Sequence, residues 1–149
     1  MSIASNAEQT DNPIEGLVFV QSFVTKVAGC RYQTASAAPG EQVHLVREPD
    51  NAVDANAIAV HNMAGQRVGY LFREFAEYYA ESLDYGVVRL FGRLAAPWEP
   101  DYDPSRARCN PTLFIWAYRD EARLAEVLAQ ENPAGEMNQE PAVLQPFKK

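Results

Sequence analysis

Cysteine and histidine are scarce, two of each in 149 residues. Cys30 and Cys109 are far apart, and neither they nor His44 and His61 show the close spacing of a zinc-ligand set such as C-x-x-C, so no metal site is expected. No apolar run approaches the roughly 20 residues that span a bilayer, which argues against a membrane segment. Met1 to Pro13 is polar and lacks both a basic n-region and an apolar h-region, so no secretory signal is read there. Without an export signal the two cysteines read as reduced thiols of a cytoplasmic protein. The phosphate-cradling G-x-x-x-x-G-K-[ST] loop is missing, which excludes a nucleotide-hydrolysing motor of that type. No nucleophile stands at catalytic spacing from a base, so the expectation is a non-enzymatic chain with no catalytic residues and no cofactor.

Positive charge is also in short supply. Net charge is −7, which at face value disfavours binding to long nucleic acid. The distribution qualifies this. Residues 1–22 hold three acids and no base, and residues 121–149 hold five acids and three bases. Residues 23–120 are near balance, with twelve acids and ten bases, nine of them arginine. Arginine suits bidentate phosphate contact and stacking on bases. A hydrophobic share of 47% and an aromatic share of 11% mark a globular chain, and the length suits one domain with a sizeable core.

Residues 1–15 read as a flexible lead, residues 16–130 as the domain, and residues 131–149 as an acidic tail rich in Asn, Pro, Gly, Gln and Glu that is expected to be disordered. Within the domain, Leu17–Val27 is apolar on both faces, as in a buried or barrel strand. Thr34–Gly40 is a loop of small and polar residues. Gln42–Arg47, Ala57–His61 and Arg67–Leu71 are β-prone, the last two joined by a turn at Asn62–Gly65. The period then changes. Arg73–Asp84 sets Phe75, Tyr78, Tyr79 and Leu83 against Glu74, Glu77 and Glu81, an amphipathic helix that Gly86 can stop. Val87–Leu94 and Thr112–Tyr118 return to strand period around a long irregular loop, Pro97–Asn110, and Asp120–Gln130 reads as a terminal helix. About six strands with one internal and one C-terminal helix, and no βαβ rhythm, predict a mainly β small barrel or sandwich.

The densest polar stretch is Arg47 to Ile58, which packs an arginine, a proline and several Asp and Asn side chains between two strands. Such loops on rigid strands are where binding sites are built. The order Gly29-x-Arg31-Tyr32, a strand ending in Arg47-Glu48-Pro49, then Asp50-Asn51-x-x-Asp54-x-Asn56-Ala57-Ile58-x-Val60, then Gly65-x-x-Val68-Gly69-Tyr70-Leu71 and an acidic helix resembles the HIRAN domain over residues 18–118. The resemblance implies a small β-barrel related to the OB-fold. It also implies a module that binds the 3′-hydroxyl end of single-stranded DNA and is tied to DNA repair or replication. HIRAN domains occur within fork-remodelling SWI/SNF-type ATPases and as free-standing bacterial and phage proteins. A chain with no motor motif fits the free-standing, intracellular kind.

The same resemblance assigns candidate DNA-binding residues. Asp54 matches the acid that accepts the proton of the 3′-hydroxyl, and Asn51 in the same loop would touch the terminal nucleotide. Tyr32 matches an aromatic that stacks on a base, a contact worth about 1–3 kcal/mol. Arg31 and Arg73 would pair with phosphate, and Tyr70 stands where a histidine is found in a well-known member. The chain departs from the family pattern at Gln33, where a second aromatic is common, and at Ala52 and Val53, where Pro and Tyr are common. Plainer roles stay open: Asp54 and Asn56 as turn residues, Arg47 paired with Glu48 or Asp50, Tyr32 as a core ring, and Arg73 as a solvated helix start.

Two other functions compete. One is an acidic protein-interaction domain that acts on a nucleic-acid-handling partner through its acidic surface or the 97–110 loop, where Trp98, Tyr102, Arg106 and Arg108 alternate with Glu99, Asp101 and Asp103. The other is a metal-dependent hydrolase or nuclease using Asp50 and Asp54 or Asp101 and Asp103 to hold Mg²⁺.

Overall fold

A computed structural model describes residues 16–100, 102–106 and 110–131. The expected lead and the expected tail beyond Glu131, together with Asp101, Arg108 and Cys109, lie outside the described residues; Glu131 itself closes the last helix. Six strands form in the expected order: β1 (Leu17–Lys26), β2 (Gln42–Arg47), β3 (Ile58–His61), β4 (Arg67–Tyr70), β5 (Val88–Leu94) and β6 (Thr112–Asp120). Helix α1 (Arg73–Tyr85) lies between β4 and β5, and α2 (Glu121–Glu131) follows β6. A single 3-10 turn, Cys30–Tyr32, follows β1. Gly86 ends α1 at φ 78°, its N–H bonded to the carbonyls of Leu83 and Ser82, the left-handed stop that glycine adopts without Cβ strain.

All pairings are antiparallel, in the order β1-β6-β5-β2-β3-β4. The two ends of this sheet meet just beyond β1. The N–H of Ala28 donates to the carbonyl of Tyr70 and the N–H of Tyr70 donates to the carbonyl of Ala28, each at 2.8 Å. This bridge closes the sheet into a barrel. It depends on Gly69: a Cβ there would run into the Val27 side chain and stand 2.7 Å from the Ala28 carbonyl oxygen. Inside lie Val27, Val43, Ile58, Val60, Leu113 and Ile115, capped by Phe75, Ala76 and Tyr79 of α1. Phe23 of β1 stacks on Phe75 at 4.8 Å between ring centroids, so the acidic helix is held by its apolar face as the 3.6-residue period requires.

Strand β1 differs from expectation. Its two faces are not both buried: Val18, Val20 and Val24 are exposed, at 44%, 38% and 47%. A bulge between Phe19 and Gln21 switches the facing of the strand, so Leu17 and Phe19 lie on the outer side with Tyr118, whereas Phe23 and Thr25 face the core with Ile115 and Leu113. On that outer side, alternate residues of β6 build a smaller cluster in which Trp116 and Tyr118 pack with Leu17, Phe19, Phe91 and Phe114.

Two ion pairs fix loops to this frame, and both correct the sequence reading. Arg47 pairs with neither Glu48 nor Asp50. It reaches Asp84 of α1 through two bonds of 2.8 and 3.0 Å and donates to the Ala57 carbonyl at 2.8 Å. Glu99, expected to offset the cationic groups of the 97–110 loop, is turned inward instead. It holds Arg93 through bonds of 2.9 and 2.8 Å and accepts the Ala96 N–H. The bonds from Arg93, only partly opposed by burial, keep its carboxyl below the ordinary glutamate range. Glu99→Ala leaves a mostly buried guanidinium without its counter-charge and is expected to cost about 2 kcal/mol. Glu121→Ala, at an exposed pair with Arg119, is expected to stay within about 0.5 kcal/mol. Denaturant melts of the two variants check the difference.

Candidate nucleic-acid interface

The polar stretch after β2 folds as two consecutive turns. The Asn51 N–H donates to the Glu48 carbonyl and the Ala57 N–H to the Asp54 carbonyl, each at 3.0 Å. Side chains tighten both. Asn51 Oδ1 accepts the N–H groups of Val53 and Asp54 at 2.9 and 3.0 Å, and Asp54 Oδ1 accepts the Asn56 N–H at 2.9 Å. The turn reading of Asp54 is therefore correct, and it uses one carboxylate oxygen. The other oxygen, Oδ2, stands 3.7 Å from Arg73 Nε at the start of α1.

Asn51, Asp54, Tyr70 and Arg73 line one cavity of about 310 Å³ with Val53, Ala57 and Leu71. Four of the six candidates thus converge. Arg31 and Tyr32 lie outside this cavity, on the 3-10 turn that packs on β4. The Arg31 guanidinium lies 5.2 Å from the Tyr32 ring centre, and the ring is 76% exposed, so Tyr32 is not a core aromatic. Val53 is 87% exposed and offers no ring to a ligand.

Below the cavity lies a group that sequence reasoning did not single out. Glu48 accepts the Tyr70 hydroxyl at 2.9 Å and the Asn51 amide at 3.0 Å on one oxygen, and Arg67 at 3.0 Å on the other. Arg67 also donates to Gln33 Oε1 at 3.2 Å and lies 5.4 Å from the Tyr70 ring centre. Gln33, the departure from the family's second aromatic, thereby ties the 3-10 turn to β4. Nothing local in the sequence names Glu48 as the shared acceptor of Asn51, Arg67 and Tyr70. Burial opposes the charge on Glu48, yet the hydrogen bonds from Asn51, Tyr70 and Arg67 win and hold its carboxyl below the ordinary value. Burial, reinforced by the Glu48 bond, pushes the Tyr70 hydroxyl above the usual phenol range, so Tyr70 stays a neutral donor at neutral pH.

The sign of the pH effect follows. A carboxyl depressed by folding adds stability above its unfolded value of 4.5, and that contribution is lost as pH falls through the lower folded value. Melting temperature measured against pH should therefore drop less steeply on acidification below 4.5 in Glu48→Gln than in the unaltered chain. Identical acid limbs in the two proteins would remove Glu48 from the account.

Among the described residues no three His, Cys, Asp or Glu side chains gather as metal ligands, and no helix is long and apolar enough to cross a membrane. Cys30 is half-buried and packs against the core.

A six-stranded antiparallel barrel with a cavity between a strand-connecting loop and the start of an inserted helix belongs to the OB-like binding modules. The HIRAN domain model matches residues 20–115, and the chain belongs to the HIRAN domain family. It is 36% identical over 83 residues to the helicase-like transcription factor of Mus musculus and 42% identical over 66 residues to that of Oryctolagus cuniculus. These matches cover 56% and 44% of the chain but only 8% and 7% of those proteins. The crystal structure of the HIRAN domain of human HLTF superposes with a TM-score of 0.62 at 28% identity, covering 81% of this chain and 94% of that one. The NMR structure of the HLTF HIRAN domain in its DNA-bound conformation superposes with a TM-score of 0.56 at 26% identity, covering 87% of this chain and 97% of that one.

Proposed function

We propose that this chain binds DNA and captures a single strand at its 3′-hydroxyl end, as a non-enzymatic module serving DNA repair or replication. The observation that carries the reading is the meeting of Asn51, Asp54, Tyr70 and Arg73 in one cavity. Asp54 Oδ2 accepts the terminal hydroxyl, while Arg73 and Arg31 meet phosphate and the exposed Tyr32 ring takes a base. The relative whose HIRAN domain has a DNA-bound conformation supports DNA as the ligand. The net charge of −7 fits a ligand held at its end more than one held along its length, because few phosphates need neutralising.

Fluorescence anisotropy with short oligonucleotides tests this. Strands ending in 3′-hydroxyl should bind, and strands ending in 3′-phosphate should bind at least about tenfold more weakly, since a terminal anion meets the Asp54 carboxylate. Equal affinity for the two ends sinks the reading. A protein partner at the 97–110 loop is a second reading, supported by Trp98, which is 69% exposed. A stoichiometric partner that is lost on Trp98→Ala would favour it.

A further inference from the structure

We propose that the strand held at its 3′ end continues past the Arg31–Tyr32 turn into the larger cavity beyond it, of about 690 Å³, which takes the sugar–phosphate backbone of the upstream nucleotides. This rests on the end-capture reading above. Arg31 belongs to the wall of this second cavity while its guanidinium lies against the exposed Tyr32 ring, so the turn that supplies the phosphate and base contacts of the end-capture reading also borders this cavity.

The wall is chemically selected. Among the described residues it carries Arg31, Gln33, Thr34, Ser36 and Tyr102 with small apolar neighbours, and no carboxylate. That is a marked departure for a chain with 20 acids and a net charge of −7. The segment after the turn adds backbone donors. Burial alternates from Gln33 to Ala37 as it does along a strand, yet no strand pairs with this segment. The N–H groups of Thr34, Ala35, Ser36 and Ala37 find no acceptor among the described residues.

These donors are nevertheless fixed in place. The Gln33 N–H donates to the Cys30 carbonyl at 3.0 Å, the Ser36 carbonyl accepts Asn62 Nδ2 at 3.0 Å, and the Ala38 N–H donates to Glu41 Oε1 at 2.7 Å. Asn62 is itself buried in the β3–β4 turn and accepts the N–H groups of Ala64 and Gln66. In an extended run the N–H groups of alternate residues share a side, so a pair of them, already held in place, meets an anion without a further ordering cost. With Tyr102 in the same wall and no acid among its described residues, the surface suits a phosphate backbone read without regard to sequence. An extended peptide could also bond to such a run, but the Arg31 guanidinium in the wall, with no acid beside it among the described residues, favours the strand.

The test is a length series of 3′-hydroxyl oligothymidines, from dinucleotide to octanucleotide, on the full chain and on Thr34→Glu/Ser36→Glu. Both altered residues are exposed, and an unchanged dinucleotide affinity certifies the fold of the variant. In the unaltered chain the octanucleotide should bind at least about tenfold tighter than the dinucleotide. The double variant should bring the octanucleotide down to the dinucleotide level. Equal affinity for the two lengths, or a length gain that survives the double variant, overturns the proposal and leaves a peptide as the occupant to try. The end-capture reading fails separately, if dinucleotides ending in hydroxyl and phosphate bind alike. A length gain that the double variant abolishes, but that ignores the 3′ group, supports the cavity while sinking end capture. No binding at any length overturns both.

Discussion

Gly69→Ala should lower the melting temperature by roughly 5–10 °C, corresponding to about 2–3 kcal/mol at this chain length. The added methyl meets Val27, the Ala28 carbonyl oxygen at 2.7 Å and the Cys30 sulfur at 3.2 Å. Two of these are side-chain atoms, but the carbonyl is backbone and is bonded to the Tyr70 N–H. Relief therefore requires β4 and the segment after β1 to separate, which breaks the bridge that closes the barrel. The comparison is Gly65→Ala in the β3–β4 turn. Nothing lies within 4 Å of a Cβ there, so the cost is confined to the φ of 82°, about 1 kcal/mol. A Gly69→Ala melt no lower than that of Gly65→Ala would mean that the two ends of the sheet do not need this close approach.

Asp54→Asn should weaken binding of a 3′-hydroxyl strand by about ten- to a hundredfold, the worth of one hydrogen bond to a charged acceptor. Stability should barely change. The amide oxygen of asparagine can still accept the Asn56 N–H, and the contact with Arg73 is long, at 3.7 Å, to a side chain that is 69% exposed. The same substitution should improve binding of a 3′-phosphate strand, because it removes a negative charge beside the incoming anion and releases Arg73 to it. The two effects have opposite signs, so the ratio of the affinities is the sensitive readout. A variant that loses affinity equally for both ends would show that Asp54 only shapes the loop.

Much of this was legible from residue order. Strand β2 follows its period-2 alternation and helix α1 its 3.6 period. Glycines at 65 and 86 mark the turn and the helix stop, because a left-handed backbone needs no long-range information to be recognised. Family motifs brought Asn51, Asp54, Tyr70 and Arg73 to notice, and these four do share a cavity. Pairing across long separations was not legible. Arg47 had two acids within three residues, yet it bonds to Asp84, 37 positions on, because β2 and α1 meet only in the folded chain. Glu48 looked like one end of a surface bridge, and its role as common acceptor for Asn51, Tyr70 and Arg67 exists only once β4 lies beside the loop. The facing of β1 misled because a period-2 reading assumes an unbroken strand, and the bulge between Phe19 and Gln21 exchanges the two sides partway along.

The Ala28–Tyr70 bridge has one further consequence. Tyr70 gives its backbone to the joint of the barrel and its side chain to the ligand cavity. The joint is held by a two-bond bridge, whereas β1 pairs with β6 over nine residues, so it should be among the first parts of the sheet to breathe. Anything that settles against the Tyr70 ring and hydroxyl must hold that joint shut, and occupancy should slow amide hydrogen exchange at Ala28 and Tyr70 ahead of the rest of the barrel.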